Sequence, residues 1–146
     1  ANKGGIMCEG WSIEEVFPGS GSCIYQLQAA SSDKTLLERF AAKKQNREAS
    51  LKLASTLDLI RKSGIARSVE NMTIRRVEGD IVEVRVSGTV IRAFSYQRNG
   101  EDALVLLDIE RTHQGSGSIR RHIEAAKPKA EAARALLAKM KGEGRE

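Results

Sequence analysis

Four runs decide the fold: Thr73-Ile-Arg-Arg-Val77, Ile81-Val-Glu-Val-Arg-Val86, Val90-Ile-Arg-Ala-Phe-Ser-Tyr96 and Ala103-Leu-Val-Leu-Leu-Asp-Ile109. Each is rich in β-branched and aromatic residues. Turn signals separate them: Glu78-Gly-Asp80, Ser87-Gly-Thr89, and a segment containing Asn99-Gly100. Asn-Gly supplies the positive φ angles that tight hairpin turns need. The connections are three to six residues long, too short for the crossover that parallel neighbours require. The region therefore predicts an antiparallel meander. Its last run lacks polar alternation and suits a strand buried on both faces.

Working outward, Cys23-Ile-Tyr-Gln-Leu-Gln28 reads as a further strand, with Cys23, Tyr25 and Leu27 on one face and Ile24 on the other. It is a candidate edge or central partner for the meander. Before it, residues 1–10 are glycine-rich without periodicity. Trp11 to Phe17 alternates weakly and ends at the turn Pro18-Gly19. Residues 1–22 are read as an N-terminal extension, in part disordered, and residues 23–146 as one domain.

Ser31-Ser-Asp33 can cap a helix starting near Lys34, with Leu36, Leu37, Phe40 and Ala41 as its core stripe. Leu53, Leu57 and Ile60 form a second stripe, which Gly64 ends. Thirty residues is long for one globular helix, so Asp33 to Ser63 is read as a helical hairpin rather than one bent helix. After the meander, Gln114 to Ser118 reads as a loop. A helix from about Ile119 is expected to be interrupted at Lys127-Pro128, since proline lacks an N–H and restricts the residue before it. A last helix from Pro128 to Lys141 would turn Ala130, Ala133, Leu137 and Met140 inward. The class is α+β, with helices expected on one side of the sheet.

Composition narrows the function classes. The chain has 146 residues, a net charge of +5 and a pI near 9.4, which favours anionic partners. From Arg111 to Lys141 there are eight Lys or Arg, opposed only by Glu124 and Glu131. Cys8 and Cys23 have no metal-ligand spacing with each other or with His113 and His122. A reduced, cytoplasmic chain with no cofactor is expected. No apolar run is long enough to span a membrane, so no membrane partner is expected.

The helix ending Leu57-Asp-Leu-Ile-Arg-Lys-Ser-Gly64 is followed in order by Ile81 to Val86, Val90 to Tyr96, Ala103 to Leu107 and a basic C-terminal helix. In this order and spacing the chain resembles the RelE/ParE superfamily of toxins, nearest to its phage-derived, HigB-like branch. The resemblance covers roughly residues 23–141. It implies a RelE-like fold: an antiparallel meander sheet packed by an N-terminal helical hairpin and a C-terminal helix. The family's Lys-rich segment after the last strand is replaced here by Glu110-Arg-Thr-His-Gln-Gly-Ser-Gly-Ser118.

The function implied by the resemblance is that of a type II toxin–antitoxin toxin. Such a protein cuts messenger RNA on the ribosome without a metal and is held in check by a cognate antitoxin. The alternative is a non-enzymatic ParE-like gyrase inhibitor, or an inactive RelE-fold module that binds nucleic acid or protein. Metal-free cleavage needs a base for the ribose 2′-hydroxyl, cations for the phosphorane and an acid for the 5′-oxygen. Candidate catalytic residues are Arg85, Arg92, Tyr96 and His113. Candidate nucleic-acid-binding residues are Arg75, Arg76, Arg111, Arg120 and Arg121. Arg92, set among apolar neighbours, must pair with an acid or reach a groove. Arg75 and Arg76 point to opposite faces, so only one can join a site. Against these roles, Glu83 and Arg85 read as a solvent-facing pair, Phe94 as core, and the two histidines as surface residues.

Overall fold

In the computed structural model, residues 6–8, 10–111 and 116–143 are described, with side chains over 10–111 and 119–142. The strands are β1 (Ile6–Cys8), β2 (Trp11–Val16), β3 (Cys23–Ala29), β4 (Ile74–Glu78), β5 (Ile81–Arg85), β6 (Ile91–Tyr96) and β7 (Ala103–Arg111). The helices are α1 (Leu36–Ala42), α2 (Arg47–Ser63), α3 (Ile65–Glu70) and α4 (Ser116–Glu143). Among the described residues the strands form one sheet in the order β1-β2-β3-β7-β6-β5-β4.

The meander from β4 to β7 forms as its short connections require, every pair antiparallel. β3 lies beside β7 in parallel, from Cys23↔Ala103 to Gln26↔Leu106. A parallel neighbour needs a long crossover, and the three helices between β3 and β4 lie in that connection. β2 pairs along its whole length with β3, from Trp11↔Ala29 to Val16↔Ile24. The sheet thus extends into the segment read as an N-terminal extension, and the boundary at residue 22 does not mark its limit.

Helices cover both faces of the sheet, which corrects the expectation of one. Ile74, Val82, Val84, Ala93, Leu104 and Leu106 pack with Leu53, Leu57 and Ile60 of α2. Ile13, Leu27, Phe94, Val105 and Leu107 pack with Ala126, Ala133 and Leu136 of α4. The reason is in the strands: Val82 and Val84 face one layer while Ile81 and Glu83 face the other, and all four are buried. A strand apolar on both faces must be covered on both.

Residues 33–63 divide into two helices. α1 starts later than expected, at a Thr35 N-cap. The Thr35 hydroxyl accepts from the Glu38 N–H at 3.1 Å, and the Glu38 carboxylate accepts from the Thr35 N–H at 2.8 Å. That reciprocal capping box satisfies two otherwise orphaned donors, which outweighs the serines upstream. Lys43 is extended and Lys44–Asn46 forms a single 3-10 turn before α2. Gly64 ends α2 with φ +97°. Leu53 and Leu57 are fully buried on the expected stripe, each contributing roughly 2 kcal/mol of apolar transfer.

α4 runs unbroken through Pro128, contrary to the expected interruption. Pro128 is exposed, so the Glu124 carbonyl it leaves without a donor lies on the solvated side of the helix. Meanwhile Ile123, Ala126, Ala130 and Ala133 on the buried side hold both halves to the sheet. Lys127 and Arg120 also bond Glu78 of β4. Residues 116–118, expected as loop, belong to the first turn of α4. No helix among the described residues is long and apolar enough to cross a membrane.

The loop before β3 is locked onto the end of α2. The Ser22 N–H donates to the Arg61 carbonyl at 3.0 Å. Gly21 has φ +105°, and a Cβ there would lie 2.5 Å from that same carbonyl oxygen. Gly88 has φ +78° but open space around it. Gly21→Ala is therefore expected to destabilise the protein by about 2–3 kcal/mol, and Gly88→Ala by about 1 kcal/mol from backbone strain alone. Denaturant unfolding of both variants measures the difference; equal costs would contradict the tight approach at Gly21.

Candidate functional site

Register assembles a charged patch on the α4 face of the sheet. In an antiparallel pair, residues directly opposite each other share a face. Arg75 of β4 stands opposite Glu83 of β5, which stands opposite Phe94 of β6, which stands opposite Asp108 of β7. One step along the strands, Arg85 stands opposite Arg92, and Arg92 opposite Glu110. Two cross-strand rows thus bring Arg75, Arg85 and Arg92 together with Glu83 and Glu110.

Glu83 is the centre of this patch. It is 2% exposed, not the solvent-facing residue expected from strand alternation. One carboxylate oxygen accepts from Arg92 Nη1 at 2.9 Å, and the other lies 4.0 Å from Arg75 Nη1. A buried carboxylate is tolerated only when paired and hydrogen-bonded, so Arg92 meets the requirement set by its apolar setting. Glu83 engages one donor of that guanidinium, which has five. Arg85 is exposed, and no carboxylate partner is found for it among the described residues. Two guanidiniums directly opposite on adjacent strands repel each other, so the patch is electrostatically short of an anion.

α4 adds the remaining groups. The His122 ring stacks on Phe94 with centroids 5.5 Å apart. Its Nδ1 lies 3.8 Å from a Glu110 oxygen. Phe94 is itself fully buried, as its core reading required, and His122 covers it. Lys129 holds Asp108 and lies 5.9 Å from the Trp11 ring centroid.

The other sequence candidates are placed elsewhere. Tyr96 is 3% exposed, packed with Val105 and the α4 residues, and burial pushes its phenol pKa up. Four residues beyond Arg92, it stands roughly 13 Å along the strand. It is a core residue rather than a partner of Arg92. Arg111 is on the opposite face, donating to Asn46 Oδ1 at 2.9 Å and to the Gln45 carbonyl. Arg76, on the face opposite Arg75, ties the β4–β5 turn to the end of β6 by bonds to the Gly79 carbonyl and to Gln97. Arg120 is engaged by Glu78 and Glu124, and its hydrogen bond to Glu78 raises its pKa. Arg121 is exposed with no ion pair found among the described residues. His113 lies outside the described residues.

Sequence reasoning read Glu83 and His122 as surface residues and did not consider Glu110 for the site. Their role depends on cross-strand register and on where α4 crosses the sheet. Only the spacing of His122 beside Ile119, Ile123 and Ala126 hinted that it borders the buried stripe. Among the described residues no three His, Cys, Asp or Glu side chains are grouped to hold a metal. Searches against protein-family models, curated proteins and solved structures find no match for this chain.

Removing Arg92 leaves Glu83 buried without its closest partner. Arg92→Ala is expected to cost about 3 kcal/mol, and Glu83→Gln with Arg92→Ala less than that, because the stranded charge is gone. Denaturant unfolding of the single and double variants tests this. A double variant at least as unstable as Arg92→Ala would contradict it.

Proposed function

We propose that the chain is a RelE-like toxin that cleaves messenger RNA without a metal and is restrained by a cognate antitoxin covering the same basic face. The observation that carries the reading is the register pairing of Arg85 with Arg92 beside the buried Glu83. It is a cationic site whose repulsion a phosphodiester would relieve.

In this reading Arg85 and Arg92 hold the non-bridging phosphate oxygens as charge builds on them. His122, stacked on Phe94 and with Glu110 nearby, takes the proton of the ribose 2′-hydroxyl. The 2′-oxygen then bonds to phosphorus as the bond to the 5′-oxygen breaks. The products are a 2′,3′-cyclic phosphate and a 5′-hydroxyl, with solvent protonating the leaving oxygen. Arg75 and Arg121 guide neighbouring phosphates, and Arg120, held by carboxylates, contributes less.

A specific observation favours a second reading. With Tyr96 buried and Arg111 on the other face, fewer of the candidate groups meet at Arg92 than the family resemblance implies. That favours a non-enzymatic protein, either ParE-like in inhibiting gyrase or an inactive RelE-fold binder.

Arg85→Ala separates these readings more cleanly than Arg92→Ala, because Arg85 is exposed and its loss strands no buried charge. On induced expression, the wild type is expected to arrest growth and produce new 5′ ends in translated messages. Arg85→Ala should reduce cleavage by about a hundredfold, the usual cost of losing one charge-stabilising donor. Arrest with intact messages would favour the second reading. Growth without arrest would overturn both toxin readings.

A further inference from the structure

On the opposite face of the sheet, α1 and the end of β7 enclose a cleft of about 360 Å³. Arg39, Lys43 and Arg111 line it, with Phe40 and Ile109 as its apolar wall and Asn46 at its base. Asp108 and Glu110 border it as well, but the Asp108 carboxylate is held from the other face by Lys129, and a Glu110 oxygen lies toward that face, 3.8 Å from His122 Nδ1. Three cations from two elements therefore share the cleft, and no carboxylate partner is found for them among the described residues.

The cleft has a fixed frame. Asn46 is 4% exposed; its Oδ1 accepts from Arg111 Nε at 2.9 Å, and its Nδ2 donates to the Phe40 carbonyl at 3.0 Å. Arg111 also donates through Nη2 to the Gln45 carbonyl. Two of its donors are thereby used to orient the guanidinium, and the rest remain for a ligand. Arg39 of α1 and Lys43, the extended residue that follows the helix, both line the cleft, and like charges gathered there repel each other without an anion. The partly exposed Phe40 ring beside them can take a flat group.

The geometry points to a nucleotide-binding cleft here: a phosphoryl group held by Arg39, Lys43 and Arg111, with the base against Phe40 and Ile109. A volume of this size lies within the usual range for small-ligand sites. This site is separate from the Arg85–Arg92 face and does not depend on its reading. The phosphoryl group has two sources, a free mononucleotide or the phosphorylated 5′ end of an RNA.

Titration calorimetry on the full chain tests the inference, with adenosine 5′-monophosphate, adenosine, and matched short RNAs carrying a 5′-phosphate or a 5′-hydroxyl. Saturable binding of the monophosphate, weakened about tenfold or more by Arg39→Ala with Lys43→Ala and unchanged by Arg85→Ala, is the expected result for a free nucleotide. A preference for the 5′-phosphorylated RNA with the same dependence on Arg39 and Lys43 identifies the RNA end instead. Both substituted side chains are exposed, so the double variant should fold. Equal binding of adenosine and its monophosphate, insensitivity to the double variant, or no binding of any phosphorylated probe would overturn the inference.

Discussion

The structure depends on the parallel pairing of β3 with β7. Every other pair in the sheet joins strands close in sequence, and that one closes a connection holding three helices and three strands. By seating the last strand beside an early one, it makes β7 a central strand that both faces must cover. It also explains the extent of the sheet. Once β3 is internal, its free side is available to β2, and residues 11–16 join the core instead of trailing from it.

The same strand distributes charge. Residues of β7 alternate between layers, so Asp108 and Glu110 reach α4 while Ile109 and Arg111 reach α1 and the turn after it. Acids thus go to one face and a cation to the other. On the α4 face, Glu83 is buried where only ionic partners can satisfy it, and it draws Arg92 inward while Arg75 stays exposed at 4.0 Å. Arg85 is left opposite Arg92 without a compensating acid. The basic character of the chain, mild when averaged, is locally concentrated by register.

Much of the sheet was legible in the sequence, because short turns around Gly79, Gly88 and Gly100 leave few ways to connect four strands. The stripe of Leu53, Leu57 and Ile60 was equally plain. The uninterrupted run from Ala103 to Leu107 suited burial on both faces, and Cys23 to Gln28 was a candidate partner for the meander; that it joins β7 in parallel was not legible, since parallel partners are chosen by tertiary packing. Proline signals misled at Pro128, where an exposed position in an otherwise well-packed helix makes the missing hydrogen bond inexpensive. At the candidate site, alternation correctly separated Arg75 from Arg76, and by the same alternation Arg92, Phe94 and Tyr96 share one face of β6. Burial then divided these three: Tyr96 is packed into the layer that α4 covers, whereas Arg92 is only partly buried. Glu83 and His122 were read as surface residues because strand alternation and composition do not show that α4 covers that face of β5 and β6.

The proposed function requires that the β5–β6 face, rather than the basic helix as a whole, receive RNA. The most direct measurement is a nuclear magnetic resonance titration with a short single-stranded RNA, following the arginine Nε–Hε and histidine ring signals. The account predicts the largest shifts at Arg85, Arg92 and His122. Saturable RNA binding that leaves all three unmoved, or shifts confined to the Lys and Arg of the second half of α4, would contradict it.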